Sequence, residues 1–476
     1  MMSAEEVARE DLLTFLNAAL ASTVQAEFAS TAAEQREALA FLHEYVRGNY
    51  RRLYARLLAL GVNDANTMEI VVGLLSTGRQ SPEDFRAEEG ALLRAAVRAL
   101  PPQRFWRLTA RLRAERINNR RSRALVRDYI REHPDLAFQA VKYRGKVAGA
   151  LRHAHLRAPG EVDRFLFGAH DQPFSTPILE SYRRAHHSRS ALAELPYTVA
   201  QGLAARHGMG TSETIEATRA RLTSRERLRL ARHSGQELVN PARQSLTELA
   251  IYLLSLPELA PPHLSWMPRA ADRLLQRSGP LPLDGAVAAV LDNSYSSSGS
   301  RAKRGRPLAV AWAVDALLSA GVDCYRGWWT HPVPDDVPRP QGTTNLAERL
   351  LDALEWGATT VIVVSDGVEN DPPGAFHAVL ERARRLVPGL AVIHLNPVFD
   401  PRSLQVRSLS PLAPAIGLRS AEDLPAALGL ARYLAGSQSL EALEAYLSGR
   451  VVEFIAAHRR PPSAARALGP DATIRL

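Results

Sequence analysis

Apolar residues recur at three- and four-residue spacing through positions 1–277, in segments such as Glu5–Leu20, Glu37–Leu60, Gly90–Ala99 and Ser245–Leu254. That period predicts helices that each bury one face. Turn-forming residues interrupt it at Gly61-Val62-Asn63-Asp64, Pro101-Pro102, Pro159-Gly160 and Gly208-Met209-Gly210. Runs of β-branched residues are nearly absent. Helices of roughly 10 to 20 residues with short connections predict antiparallel pairs stacked as an α-solenoid. Since no fixed repeat period shows, a plain multi-helix bundle is the alternative.

The stretch Ser278-Gly279-Pro280-Leu281-Pro282 reads as a boundary, because the pattern after it changes. Strand-length apolar runs at Gly285–Leu291, Val322–Trp328, Thr359–Val364, Leu390–Leu395 and Ala415–Leu418 alternate with helical patterns at Pro307–Ala320, Asn345–Trp356, Gly374–Leu386 and Ser420–Leu434. Strands alternating with helices predict βαβ units, and so a doubly wound, mostly parallel sheet over 283–436. Ser420 is the expected cap of the last of these helices. The remainder, 437–476, reads as one amphipathic helix at 439–460 and a short tail, Ala465–Leu476. The fold class is therefore multidomain, α followed by α/β.

Length is consistent with roughly two or three domains. The single cysteine, Cys324, excludes an internal disulfide framework. The start, MMSAEEVAREDLL, lacks the basic and apolar stretches of a secretory signal, and no apolar run approaches the roughly 20 residues of a membrane span. A cytoplasmic, membrane-free protein, expected to be a monomer, follows from these features. Charge adds a stronger signal. Between Pro101 and Gly160 fifteen Arg and Lys face four Asp and Glu, whereas the whole chain is only +9. The chain has three lysines (Lys142, Lys146 and Lys303), so a preference for Arg is general. That preference does not account for the local shortage of acids. A segment so basic is the footprint expected of a surface for a polyanion, nucleic acid above all. Within it Tyr143, Phe105 and Trp106 are candidates for base stacking, with core packing the favoured alternative for each.

Candidate chemistry lies at the strand ends of the second half. Asp292-Asn293-Ser294-Tyr295-Ser296 follows the first strand, Thr343-Thr344-Asn345 opens a later helix, and Asp366-Gly367 ends the run TTVIVVS. Ligands of doubly wound sheets sit outside the carboxyl ends of the strands. Three such loops offer oxygen donors and no Cys or His, a set suited to Mg²⁺ or Mn²⁺ with water completing the shell. The residues Asp292, Ser294, Ser296, Thr344 and Asp366 match the pattern D-x-S-x-S, then Thr, then Asp-Gly. In this the stretch Leu283–Leu434 resembles a von Willebrand factor A domain with its metal-ion-dependent adhesion site. The family places its Thr directly before Asn or Asp, which favours Thr344 over Thr343. The resemblance implies one divalent cation with an open position for an acidic oxygen from a partner.

A second resemblance lies in the basic segment. Phe138-Gln139-Ala140-Val141-Lys142-Tyr143-Arg144, then Lys146 and a helix containing His, resembles the TROVE module of Ro ribonucleoproteins over Asn118–Arg157. That family places a ring of HEAT-like helices before a von Willebrand factor A domain, the order read here. The G-W-S-H element of the family is missing, and the stretch from Lys142 to His155 is shorter. The resemblance implies an RNA-contacting face that includes Lys142, Lys146 and His155, with Arg120, Arg121, Arg144 and Arg152 beside them. It also implies structured non-coding, Y-like RNA or misfolded RNA as partner, and a role in RNA quality control or in tethering RNA to an exoribonuclease.

The competing expectation is a metal-dependent protein adaptor, such as a partner of a MoxR-type AAA ATPase. An enzyme is not expected. The sequence has no phosphate-cradling glycine loop, no G-x-S-x-G and no HExxH. Two carboxylates diluted by hydroxyls also fall short of the carboxylate cluster of a metal nuclease. His153 and His155, two apart on an expected helix, cannot share a face and make no joint metal site.

Overall fold

A computed structural model of the chain describes residues 3–27, 29–234, 239–256, 259, 263, 265–436 and 439–459. The expected tail at Ala465–Leu476 lies outside them. The first half is helical throughout: α1 (Ala4–Ala21), α2 (Ala32–Asn49), α3 (Arg51–Arg56), α4 (Asp64–Ser76), α5 (Arg86–Ala99), α6 (Pro102–Ala114), α7 (Arg120–Glu132) and α8 (Leu136–Lys142). It continues with α9 (Arg144–Ala154), α10 (Glu161–Phe167), α11 (Pro177–Arg184), α12 (Tyr197–Ala204), α13 (Thr211–Ala217), α14 (Ser224–Ser234), α15 (Leu246–Leu253) and α16 (Trp266–Ser278). Local chemistry sets the starts. Ser3 with Glu6 and Thr31 with Glu34 form reciprocal capping boxes, Asn63 accepts from the amides of Ala65 and Asn66, and Pro102 takes the first helical position of α6. The segment of helical period at Glu37–Leu60 is broken within. The weak helix formers Gly48 and Asn49 lead to Tyr50, which leaves helical geometry and whose hydroxyl donates to Asp11 at 2.8 Å.

His43 shows how the helices are locked. Asn66 spends its amide hydrogens on Ala19 O (2.8 Å) and Ser22 Oγ (3.1 Å), so its Oδ1 accepts from His43 Nε2 at 3.1 Å. His43 Nδ1 must then accept from the Tyr54 hydroxyl at 2.8 Å. The ring is neutral, and burial holds its pKa down at about 4.

The second half is a five-stranded parallel sheet of β1 (Val287–Leu291), β2 (Tyr325–Trp329), β3 (Thr360–Val364), β4 (Ala391–Asn396) and β5 (Ala415–Gly417), in the order β2-β1-β3-β4-β5. Alternate residues serve opposite faces. Ala288, Val290, Val361 and Val363 pack under α18 (Leu346–Glu355) and α19 (Ala375–Leu386). Ala289, Leu291, Ile362 and Val364 join α17 (Arg306–Gly321) and α20 (Leu424–Gly436) in a core continuous with that of the helical half. Ser420 does not cap α20: its hydroxyl donates to Asp423 at 2.8 Å, and a 3₁₀ turn at Ala421–Asp423 precedes the helix. The last helix, α21 (Leu440–Ala457), packs back on α1, α3 and α5.

The expected boundary at Ser278–Pro282 is packed rather than loose, since Leu281 is buried and lies with Leu275 against Gly321. Helix α1 sits on β5, where the Asn17 amide donates to Ala415 O (3.1 Å) and accepts from Gly417 N (3.0 Å). A Cβ at Gly417 would collide with the backbone of Asn17, so only glycine allows this approach. From α1 the contacts run through α2, α4, α6, α9, α8 and α12, and the chain returns to the sheet where α15 and α16 pack on α17. A buried ion pair, Arg306 to Glu27 at 3.0 Å, ties the two halves together. Arg306 also donates to Pro397 O and Arg419 O.

Two predictions follow from these contacts. The unfolded chain protonates His43 below pH 6.5 while the folded one resists down to about 4, so this group removes stability as pH falls through that window. Thermal melts of His43→Gln should therefore lose less midpoint between pH 7 and pH 4.5 than wild type; parallel curves would refute the assignment. Arg306→Met strands the Glu27 carboxylate and should cost about 3–5 kcal/mol in urea unfolding, with much of the loss recovered in Glu27→Gln/Arg306→Met. A double variant no more stable than the single one would count against the pair.

Candidate metal centre and basic face

Strand β1 ends at Leu291, in register with Val364 of β3, and Asp292 N donates to Val364 O at 3.0 Å. From β1 the chain moves to β2 on one side and then to β3 on the other. Asp292 and Asp366 therefore stand at the point where the winding reverses, where this topology opens a crevice. The structure brings the five expected ligands together there. Ser294, Ser296, Thr344 and Asp366 line one cleft of about 360 Å³, and Asp292 lies buried beside them. The cleft is walled on one side by Glu27, Ala29 and Ser30 of the helical half, and on the other by Phe399, Asp400 and Arg407. Thr343 does not share it: that residue is exposed, and its hydroxyl donates to Asp371 at 2.7 Å.

Each donor is held from behind. Asp292 accepts from Ser294 N (2.8 Å) and Ser365 Oγ (3.2 Å), while the Ser294 and Ser296 hydroxyls lie 3.2 Å apart. Asp366 accepts from Val368 N at 3.0 Å. Gly367 follows with φ +81°, and a Cβ there would meet Arg407 O at 2.6 Å, which accounts for glycine after this aspartate. Asn370 fixes Thr344 by accepting its amide at 2.8 Å. Glu369 accepts from Leu346 N (3.2 Å), Ala347 N (3.0 Å) and Phe376 N (2.7 Å), which seats the helix that Thr344 introduces. Fully buried Asn293 stitches the β1 loop to the next one, accepting from His331 N at 2.8 Å and donating to Arg339 O at 3.3 Å. Sequence reasoning missed these four supports, Asn293, Ser365, Glu369 and Asn370. The only signal would have been their adjacency to the ligand motif.

Electrostatics test whether a cation fits. Burial, and then the neighbouring Asp366 charge, push Asp292 up to about 6. Burial also raises Asp366, against its hydrogen bonds and the Arg407 charge. Two buried carboxylates that repel each other, with hydroxyls around them, are relieved by a hard cation. Among the described residues no three His, Cys, Asp or Glu converge as a metal cage. Coordination here would thus rest on two carboxylates, hydroxyls and water, the chemistry of Mg²⁺ or Mn²⁺ rather than zinc.

The basic segment folds as α6 to α9 with the turn into α10. Several of the residues singled out there have partners within the protein, among them Arg152, which lies over the Phe167 ring at 4.9 Å. Arg121 joins Arg51 on the buried Glu89 (2.6 and 3.0 Å), Lys142 pairs with Glu226 at 3.3 Å, and Arg144 lies over the Phe165 and Tyr182 rings. Arg120, Lys146, Arg152 and His155 are exposed. His155 is not helical: it closes α9 with φ 54° and accepts a long bond from Asn118, while His153 bonds Ile117 O at 3.0 Å. Phe105 and Trp106 are buried and stack on Tyr129 or meet its edge, so they are core. Sequence reasoning named Arg120 but not Arg123, Arg127 and Arg131, which continue it as a row of exposed arginines on one face of α7. At three- and four-residue spacing the row spans about 16 Å of helix.

In EDTA, Asp292→Asn should melt higher than wild type because it removes a buried charge. Adding Mg²⁺ should raise the wild-type midpoint and leave the variant unmoved. A wild type indifferent to Mg²⁺ and Mn²⁺ would exclude a cation site. No protein-family model matches the chain, and no curated protein matches its sequence.

Proposed function

We propose that the protein holds RNA on the basic face of its helical half, a HEAT-like array of the Ro type, and docks a protein partner at a metal site of the von Willebrand factor A type in its sheet half. One observation carries the RNA reading. Arg107, Arg113, Arg116, Arg120, Arg123, Arg131, Lys146, Arg152 and Arg157 are all exposed, and none makes an ion pair among the described residues. Elsewhere exposed arginines without an ion pair among the described residues are spread more thinly, as at Arg36, Arg79 and Arg184, and others are paired, as in Arg98 with Glu132 at 2.7 Å and Arg183 with Glu180 at 2.6 Å. Charge left unpaired over so short a stretch opposes the compact state and is explained by a polyanion that neutralises it. Guanidinium groups suit phosphate because they pair with it in a bidentate manner.

The metal cleft supports the second element of the proposal. A cation held by Asp292, Ser294, Ser296, Thr344 and Asp366 would supply Lewis acidity toward an anionic oxygen. Among the described residues the other carboxylates of the cleft, Glu27 and Asp400, are held by Arg306 and Arg407, which favours binding over turnover. The partner's acidic side chain would enter between the helical residues Ala29 and Ser30 and the sheet residue Phe399. The two surfaces together describe an adaptor between an RNA and a protein such as a nuclease. Adaptation to a AAA ATPase would use the cleft alone.

Isolating the protein at moderate salt, with and without RNase, tests the RNA reading. A defined set of small RNAs is expected, and an RNA-free protein would overturn it. Arg123→Glu and Lys146→Glu should weaken binding across sequences and make the log–log salt dependence shallower by about 0.7–0.9 for each lost contact. Lys142→Ala should change little, because its amine is already held by Glu226.

A further inference from the structure

Between α7 and the turn after α9 runs a groove of about 660 Å³. Arg127 and Arg131, one helical turn apart, form one rim, and Arg157 lies on the other. The floor is apolar, built from Ile130, Leu136 and Leu156. No Asp or Glu lines it. Arg131 and Arg157 are exposed without an ion pair among the described residues, and Arg127 holds only its sequence neighbour Asp128, at 2.9 Å, with both side chains partly open to solvent. Such an adjacent surface pair is worth little and yields to a stronger anion.

We infer that this groove seats a single-stranded segment of RNA, a conclusion that rests on the RNA reading above. A duplex keeps its base faces stacked inside and offers a protein phosphates, 2′-hydroxyls and polar base edges, so it has no use for an apolar floor. An unpaired strand offers charge along its backbone and flat apolar base faces beside it. Cationic rims with an apolar floor between them match both at once, and sequence-tolerant binding of this kind needs no base-edge donors. Arginine on both rims serves the same end, since its planar head pairs with phosphate and also lies flat on a base. The outer row from Arg120 to Arg123 lies beyond the groove and remains for duplex phosphates.

The test is fluorescence anisotropy on the full chain, with a labelled ten-nucleotide oligouridine and a labelled fully paired hairpin, each titrated at several salt concentrations. Arg131→Glu/Arg157→Glu should weaken oligouridine binding at least tenfold and make its log–log salt slope shallower by about 1.4, with the hairpin altered less than twofold. Arg131→Ala/Arg157→Ala, with a melting midpoint equal to wild type, should show the same selectivity in milder form and guards against misfolding of the reversal. Oligouridine binding unchanged in both variants, or hairpin binding lost in parallel, overturns the groove while leaving the RNA reading standing. An oligoglutamate peptide that competes with oligouridine at equal affinity overturns it too, in favour of an acidic protein partner. A wild type that binds neither RNA overturns the RNA reading and the groove together.

Discussion

The buried pair of Glu27 and Arg306 is the constraint on which the arrangement of the two halves depends. Arg306 opens α17 and its guanidinium reaches three segments at once: the helical half through Glu27, the end of β4 through Pro397 O, and the chain after β5 through Arg419 O. Both side chains are almost wholly shielded from water, so neither charge is tolerable without the other. The pair also fixes where the 26–30 loop lies. Ala26 O accepts from Ser300 Oγ at 2.7 Å and Gln35 donates to Phe399 O at 2.9 Å, which carries Ala29 and Ser30 to the mouth of the candidate cation cleft. One ionic contact thus makes a joint site out of what would otherwise be a loop cluster of the sheet alone.

Much of the architecture is legible in the chain because period and punctuation are local properties. The five strands and their intervening helices fall where alternating apolar runs put them, and Asp292 and Asp366 follow from standing one and two residues past the ends of two buried strands. Other features depend on partners remote in sequence. Lys142 has the look of a free cation until the fold brings Glu226 to it, and Arg121 is absorbed by Glu89 in the same way. Asn293, Glu369 and Asn370 act on backbone groups of other loops, so no motif betrays them. The break at Tyr50 escapes a periodicity argument because the apolar stripe continues across it while the backbone does not.

The distribution of ion pairs sorts the arginines more sharply than composition does. Helices α3 and α5 are held together by Arg51, Arg52 and Arg56 reaching Glu89, Asp84 and Glu88. On α7 to α9 acids are too few for this, and most of the cations face solvent. The same residue type serves as internal glue in one place and as an unsatisfied field in another, and only the supply of nearby carboxylates separates the two.

The clamp of Asn17 on the last strand has a consequence for how the molecule is made. Asn17 bonds Gly417 across 400 positions of sequence, and the side chain completes a sheet edge that otherwise shows bare backbone groups. Helix α1 leaves the ribosome some 400 residues before β5. At 5–20 residues per second the surface awaiting that strand stays open for roughly 20 to 80 s of synthesis. Biogenesis therefore exposes the chain to a long interval in which helix α1 lacks its neighbour β5, and the sheet can finish folding only against a helical half already in place.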